Sequence, residues 1–455
     1  MTNLWHNPQH LPGLRNWLDA HSRWVGGLVG VMALVVFGSN LSAEPHFVDE
    51  SAYISQSFYA DLLIGGRHDD PTWLEYPGYD LPPLPKYLIG LALRLEGFPR
   101  PGPAAARAWY ANTSRQFVSP EALVAARRPS VLFGAIGCVA IFALGTMSFD
   151  ARVGLLAALA LMANPLYRMH ARRAMSDVPS EAMILATAAI GLWAWKRLLG
   201  GRSIWWPTLV LAVGGGTCAG LAVLSKLNGA LGGFVLAGWA ALGLALGSFS
   251  LRGRWAFVGD CFAAGILAFA LFVALNPFLT ARPPGPIPAN LEPIANLTFL
   301  ERVQKVKDHR AGVSKDARLI FPADALNGPI DQIKAVAIQG FGRFGLFGPR
   351  GWTDSTRRFD WSQDRGACVW LPLVGVGFVL AIRFGRDQLR AGSPPTAWAV
   401  ALQALIALGV VGSFIPLAWD RYYLSIQPGS ALLAAMGLVL GFDWVRRSVR
   451  TEKAA

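Results

Sequence analysis

Two adjacent carboxylates, Asp49 and Glu50, stand in the stretch Pro45-His-Phe-Val-Asp-Glu, just after a long apolar run. Polar groups recur at the ends of other apolar runs. Lys86 follows a proline-rich turn, Arg172, Arg173 and Asp177 join two runs, Lys226 joins two more, and Arg421 with Tyr422 precedes the last. Charge at a membrane edge is expensive to hold and so marks a functional candidate. If these connections gather, two carboxylates are ringed by cations. A carboxylate can take the proton of a hydroxyl attacking the anomeric carbon of a sugar. Cations stabilise the negative charge growing on a departing phosphate, and they keep the carboxylate ionised, as a general base must be.

The elements that would position these groups follow from composition. Hydrophobic residues make up 53% of the 455-residue chain and charged residues only 15%, against about a quarter in soluble domains. Lipid is therefore the expected solvent. About ten runs approach the roughly 20 residues a bilayer-spanning helix needs. They cover approximately 24–42, 130–148, 153–169, 178–196, 206–224, 227–248, 256–277, 367–384, 397–417 and 427–444. None alternates as barrel strands do, so the expected fold class is an all-α integral membrane protein.

The net charge of +13 would suggest nucleic acid in a soluble protein. Here it is read as the positive-inside bias of short cytoplasmic loops, and no nucleic-acid partner is expected. With the N-terminus cytoplasmic, inside connections collect Arg152; Lys196, Arg197 and Arg202; Arg252 and Arg254; and Arg383, Arg386 and Arg390. The C-terminal tail adds Arg446, Arg447, Arg450 and Lys453. Both termini are thus expected in the cytoplasm, and the carboxylates on the other face.

Three parts result. Residues 1–277 form a transmembrane catalytic module with an external loop at 43–129. Residues 278–366 form a second external segment, a cap over a site or a disordered stretch. Residues 367–455 supply the last helices and the tail. The first loop carries two amphipathic stretches, Ser51 to Ile64 and Leu84 to Leu95, expected as helices in the membrane interface. A basic helix-like run, Glu301 to Arg310, marks the second segment.

Blander readings compete. Asp49 and Glu50 suit the first turn of a helix, and Asp177 before Val-Pro suits a helix cap. Lys86 and Lys226 could snorkel to headgroups, and Arg421 could pair with Asp420 at a surface. No cofactor is indicated. His46, Asp49, Glu50 and His170 are metal-ligating types, but no spacing fixes a divalent-metal site.

Five fragments resemble the GT-C glycosyltransferases, specifically the protein O-mannosyltransferase and aminoarabinose transferase group. Val48-Asp49-Glu50-Ser-Ala-Tyr53 is similar to their acidic motif, and Leu81-Pro82-Pro83-Leu84-Pro85-Lys86 to their His-Pro-Pro-Leu-Gly-Lys segment, with Leu81 in place of His. Ala171-Arg172-Arg-Ala-Met-Ser-Asp177-Val-Pro179 resembles their Arg-x4-Asp element, and Gly220-Leu-Ala-Val-Leu-Ser-Lys226-Leu-Asn-Gly229 their Gly-Leu-Ala-x-Leu-x-Lys-x-x-Gly segment. Arg421-Tyr-Tyr-Leu424, with Pro428 four residues on, is similar to their Arg-Tyr-x-Leu-Pro element.

The resemblance implies a polyprenyl-phosphate sugar donor and transfer with inversion to a lipid, protein or glycan acceptor. It implies Asp49 as base, Glu50 positioning base or acceptor, and Lys86, Arg172, Lys226 and Arg421 on the donor phosphate. Asp177, Arg173 and Tyr422 would then contact substrate. The rival is a transporter or flippase of a lipid-linked or other anionic substrate, which should hold charge near mid-membrane. Here almost all charge sits at the edges of the spans.

Overall fold

Backbone groups in lipid must bond within their own segment or in a closed barrel, and the computed structural model is helical accordingly. It describes residues 12–111, 118–201, 204–348, 360–362 and 364–454, with side chains from 16 to 443 among these. Arg202 and the side chains of Arg446, Arg447, Arg450 and Lys453 lie outside the described residues. Among the described residues there is no strand, only an isolated antiparallel bridge between Ala325 and Leu417.

Eight helices are long and apolar enough to cross a membrane: Pro120–Ser148, Asp177–Leu199, Trp205–Ser225, Leu227–Ala245, Leu251–Ala274, Ala367–Arg390, Thr396–Phe414 and Asp420–Asp443. The protein is a multi-pass integral membrane protein. The remaining two expected spans are helical but shorter, Ser22–Gly38 and Ala151–Ala163. The expected run 153–169 is cut because Asn164 leaves the helix and caps a new one, Pro165–Ala171, its side chain accepting from Tyr167 N at 2.9 Å. Glycines let the short helix close on its neighbour. A Cβ on Gly145 would lie 2.5 Å from Gly154 Cα, and one on Gly154 would lie 2.4 Å from the Phe142 carbonyl oxygen. Small residues permit such close crossings where lipid offers no hydrophobic drive between helices.

The described residues of 43–129 fold onto the spans. Where one amphipathic helix was expected at 51–64 there are two, Val48–Ser55 and Tyr59–Ile64, followed by Pro83–Leu95. These helices pack against the rest of the chain on one side and leave Ile64, Leu91 and Leu95 exposed. Tyr53, Ile54, Ile89 and Leu93 pack with Ala122, Ala125, Ala174 and Met175 from the membrane helices and their turn. Phe58, Tyr59, Trp73 and Tyr87 pack instead with Phe278 and Leu279 of the second segment.

The described part of 278–366 also packs against the rest of the chain. Phe299–Ile320 is one helix, opened by a capping box in which Thr298 Oγ1 accepts from Glu301 N and Glu301 Oε2 accepts from Thr298 N; such reciprocal bonds satisfy two otherwise orphaned donors. Arg302, fully buried, holds the helix down by donating to the carbonyls of Phe278, Ala281 and Ala295 at 2.8–3.0 Å. Further on, Leu326 N bonds Pro416 O and Ala418 N bonds Asp324 O, while Trp419 Nε1 donates to Asp324 Oδ2 at 3.0 Å. The second segment therefore fixes the turn that carries Arg421.

Candidate active site

Val48–Ser55 begins its helix two residues after His46, with Asp49 and Glu50 in the first turn. Successive helical residues point about 100° apart, so the two carboxylates part ways. Glu50 turns inward and is fully buried. Its Oε1 accepts from Arg127 Nε and Ala174 N, and its Oε2 from Arg127 Nη2 and Phe47 N, all at 2.8–3.0 Å. Arg127 also donates to the carbonyls of Leu41, Glu44 and Pro45. Both Glu50 oxygens are thus occupied within the fold.

Asp49 turns outward. Its Oδ2 accepts from Arg421 Nη1 at 2.8 Å, with about a third of the side chain exposed. Arg421 does not pair its guanidinium with Asp420. The backbone N–H of Arg421 bonds Asp420 Oδ1 at 2.6 Å, and the guanidinium lies 4.9 Å from the Trp419 ring centre and 6.0 Å from that of Tyr422.

Asp177 is not a cap. It is the first helical residue, after Ser176, and its Oδ1 accepts from Lys226 Nζ at 2.6 Å. Lys226 ends the preceding apolar helix in an extended conformation and lies 6.0 Å from the Tyr422 ring centre. Tyr422 therefore stands between two cations, each paired with one carboxylate. Buried His170 sits between them and Asp420, 3.9 Å from Asp177 Oδ2 and 3.7 Å from Asp420 Oδ2. Glu181, one turn below Asp177, accepts from Ser425 Oγ at 2.7 Å.

Two expected phosphate ligands lie apart from this group. Arg172 is taken up by the end of the Ser22–Gly38 helix, donating to the carbonyls of Phe37, Ser39 and Asn40 and to Glu44. A guanidinium there satisfies helix-end carbonyls that have no partner of their own. Its neighbour Arg173 lies over the Phe47 ring at 4.7 Å and 3.5 Å from Glu44.

Lys86 is buried at the start of Pro83–Leu95 and donates to the Pro77 carbonyl at 2.6 Å. Burial, helped by the charge of Arg310, pulls its ammonium down to about 7, against the opposing pull of Asp80. Asp80 itself accepts from Tyr110 and from His309 of the Phe299–Ile320 helix. Burial pushes its carboxyl up, but those bonds and the charges of Arg310 and Lys86 outweigh burial and hold it below the ordinary range. Arg310 also acts on Tyr53, as do Asp49 and Asp177. Arg310 thus stands within electrostatic range of both Asp80 and Tyr53. Among the described residues no three His, Cys, Asp or Glu are placed to share a metal ion.

Residues 106–275 match the family model for dolichyl-phosphate-mannose-protein mannosyltransferase. The structure of ArnT from Cupriavidus metallidurans bound to undecaprenyl phosphate resembles 92% of this chain and 60% of that one, with TM-score 0.50 and 17% identity. The Archaeoglobus fulgidus oligosaccharyltransferase AglB, in complex with an inhibitory peptide and a dolichol-phosphate, resembles 96% of this chain and 52% of that one, with TM-score 0.53 and 14% identity. The chain has the fold of the GT-C glycosyltransferase superfamily.

This chain spans 60% or less of the length of those structures, and no curated protein matches it significantly in sequence. The matched stretch holds Arg172, Arg173, Asp177 and Lys226, while Asp49, Lys86 and Arg421 fall outside it. The sequence alone did not single out Arg127, Asp80, His309, Arg310 or Glu181 for this site. Arg310 closes the basic run recognised in the second segment. The others carry no local signal, because their partners lie dozens to hundreds of residues away.

Proposed function

We propose that the chain is a membrane glycosyltransferase that takes a sugar from a polyprenyl-phosphate donor and passes it to an acceptor hydroxyl. The observation that carries this reading is the pairing of partly exposed Asp49 with Arg421, beside Lys226, Asp177 and Tyr422. The acceptor oxygen attacks the anomeric carbon from the face opposite the phosphate, and its proton passes to Asp49. A new carbon–oxygen bond forms, the bond from that carbon to the phosphate oxygen breaks, and the electron pair leaves with the polyprenyl phosphate. The anomeric centre inverts.

Arg421 and Lys226 meet the charge that grows on the leaving phosphate. Both are held by carboxylates in the resting state, so the phosphate competes for cations already oriented. Tyr422 lies against sugar or polyprenyl chain. Asp177 sets Lys226, and Glu50 through Arg127 sets the helix bearing Asp49. Lys86 and Arg310 supply a second source of positive charge from the cap side. The site faces the non-cytoplasmic side, with both termini in the cytoplasm.

Incubation of purified protein with a panel of polyprenyl-phosphate sugars, scoring free polyprenyl phosphate, tests the reading. Release from at least one donor, lost in Asp49→Asn, is expected. Release from none, with lipid or peptide acceptors supplied, rejects it.

A further inference from the structure

A cavity of about 640 Å³ opens beside the Ser22–Gly38 helix, with Glu44 and Pro45 on its rim. Its lower wall is apolar, formed by Met32 and Val36 of that helix and by Leu159 and Met162 of Ala151–Ala163. Its upper wall carries Arg168, Arg172, Arg173 and Glu44. Asp49, Lys226, Asp177 and Arg421 line none of it.

The upper wall is built for an anion. Arg173 is 4% exposed; its Nε faces Glu44 Oε1 at 3.5 Å without a hydrogen bond, and its Nη1 donates to no described group. A buried donor without a partner is costly and calls for an unseen acceptor. Arg172, equally buried, is occupied by helix-end carbonyls and adds charge more than contacts. Arg168 is half-buried in the last turn of Pro165–Ala171. Three arginines against one glutamate leave two positive charges at the head of an apolar slot. A phosphate monoester carries about two negative charges and three acceptor oxygens, whereas a phosphodiester headgroup offers one charge and two free oxygens.

We infer that this cavity is a second lipid site, which takes a phosphate monoester on a single apolar chain. The phosphate oxygens accept from Arg173 and Arg168, and the chain runs down between Met32, Val36, Leu159 and Met162. The site rests on the cavity alone. The choice of an isoprenoid chain rests on the donor chemistry proposed above.

The test uses the full chain in phosphatidylcholine nanodiscs, with a polyprenyl monophosphate carrying a diazirine in its first isoprene unit. Irradiation should label peptides containing Met32 or Met162. Arg168→Gln should lower that labelling about tenfold, the scale of a lost charge-assisted bond. Leu159→Trp, which fills the slot from its lipid-exposed side, should lower it as much. Unlabelled polyprenyl monophosphate should compete and phosphatidylglycerol should not.

Asp49→Asn should leave this labelling unchanged. If the wild-type protein transfers no sugar from any donor yet labels here, the enzyme reading fails and the lipid site stands. Labelling confined to peptides around Asp49, labelling indifferent to both variants, or equal competition by phosphatidylglycerol would overturn the site.

Discussion

Asp49 and Arg421 meet at 2.8 Å across 372 residues of chain. Neither group arrives there by local preference alone. Asp49 is aimed outward because Glu50, one position on, is pinned inward by Arg127 and the Ala174 N–H. Arg421 is aimed toward it because Asp420 takes the Arg421 backbone N–H and Trp419 is tied to Asp324 of the 278–366 segment. The pair thus reports three separate elements arriving in register.

Replacing Asp49 by Asn keeps its size and removes its capacity to take a proton. Transfer should fall by roughly 10²–10⁴ in kcat, the usual contribution of a positioned base. Donor binding, measured by retention of a labelled polyprenyl-phosphate sugar, should hold within about twofold of the native protein. A variant that kept its kcat would remove Asp49 from the reaction.

Arg421 makes a different prediction, because it is proposed to meet the phosphate. Arg421→Ala should raise the donor KM and lower kcat, and leave the acceptor KM nearly unchanged. Loss of a charge-assisted bond costs about 1.5–3 kcal/mol, or about tenfold to a hundredfold in donor kcat/KM. Arg421→Lys should recover only part, since a point charge cannot both hold Asp49 and present a second donor to phosphate. An acceptor-only defect would place Arg421 on the other substrate.

The helices were the legible part, and Asp49 and Arg421 could be marked as charged groups expected on one face, but not as partners. Apolar runs of near-bilayer length announce themselves without tertiary context, and all ten expected runs are helical. The break at Asn164 escaped notice because Leu166 and Tyr167 continue the apolar pattern while the backbone turns. Arg172 and Lys86 were legible as cations, but their partners were not. The carbonyls that claim Arg172 belong to the end of another helix, and the Pro77 carbonyl reaches Lys86 only once the proline turn folds back. The same limit hid Arg127, which lies in the stretch read as external loop and proves to be the inner partner of Glu50.

That buried pair sets a stability prediction. Removing one partner leaves an unpaired charge inside the protein, at a cost of about 3–5 kcal/mol. Glu50→Leu and Arg127→Met should each lower the midpoint of thermal unfolding in detergent. The double variant should lose less than the sum of the two, because contacting residues are not additive. Additive losses would mean the two side chains act independently, and Glu50 would not be what orients Asp49.

Lys86 supplies the pH dependence. With burial holding its ammonium down to about 7, the charged form prevails below that value and is lost above it. If this cation helps hold the donor phosphate, donor kcat/KM should fall as pH rises through about 7. Lys86→Gln, which cannot titrate, should lower donor use at pH 6 and flatten that limb. The stability effect has the opposite direction. The folded state holds this proton less tightly than an exposed lysine at 10.5 does, so the unfolded chain binds the extra proton between those values and folding stability gains as pH rises across the window. Donor kcat/KM that stayed flat from pH 6 to 9 in the native protein, while thermal stability rose, would leave Lys86 as a buried strut for the Pro77 turn rather than a phosphate ligand.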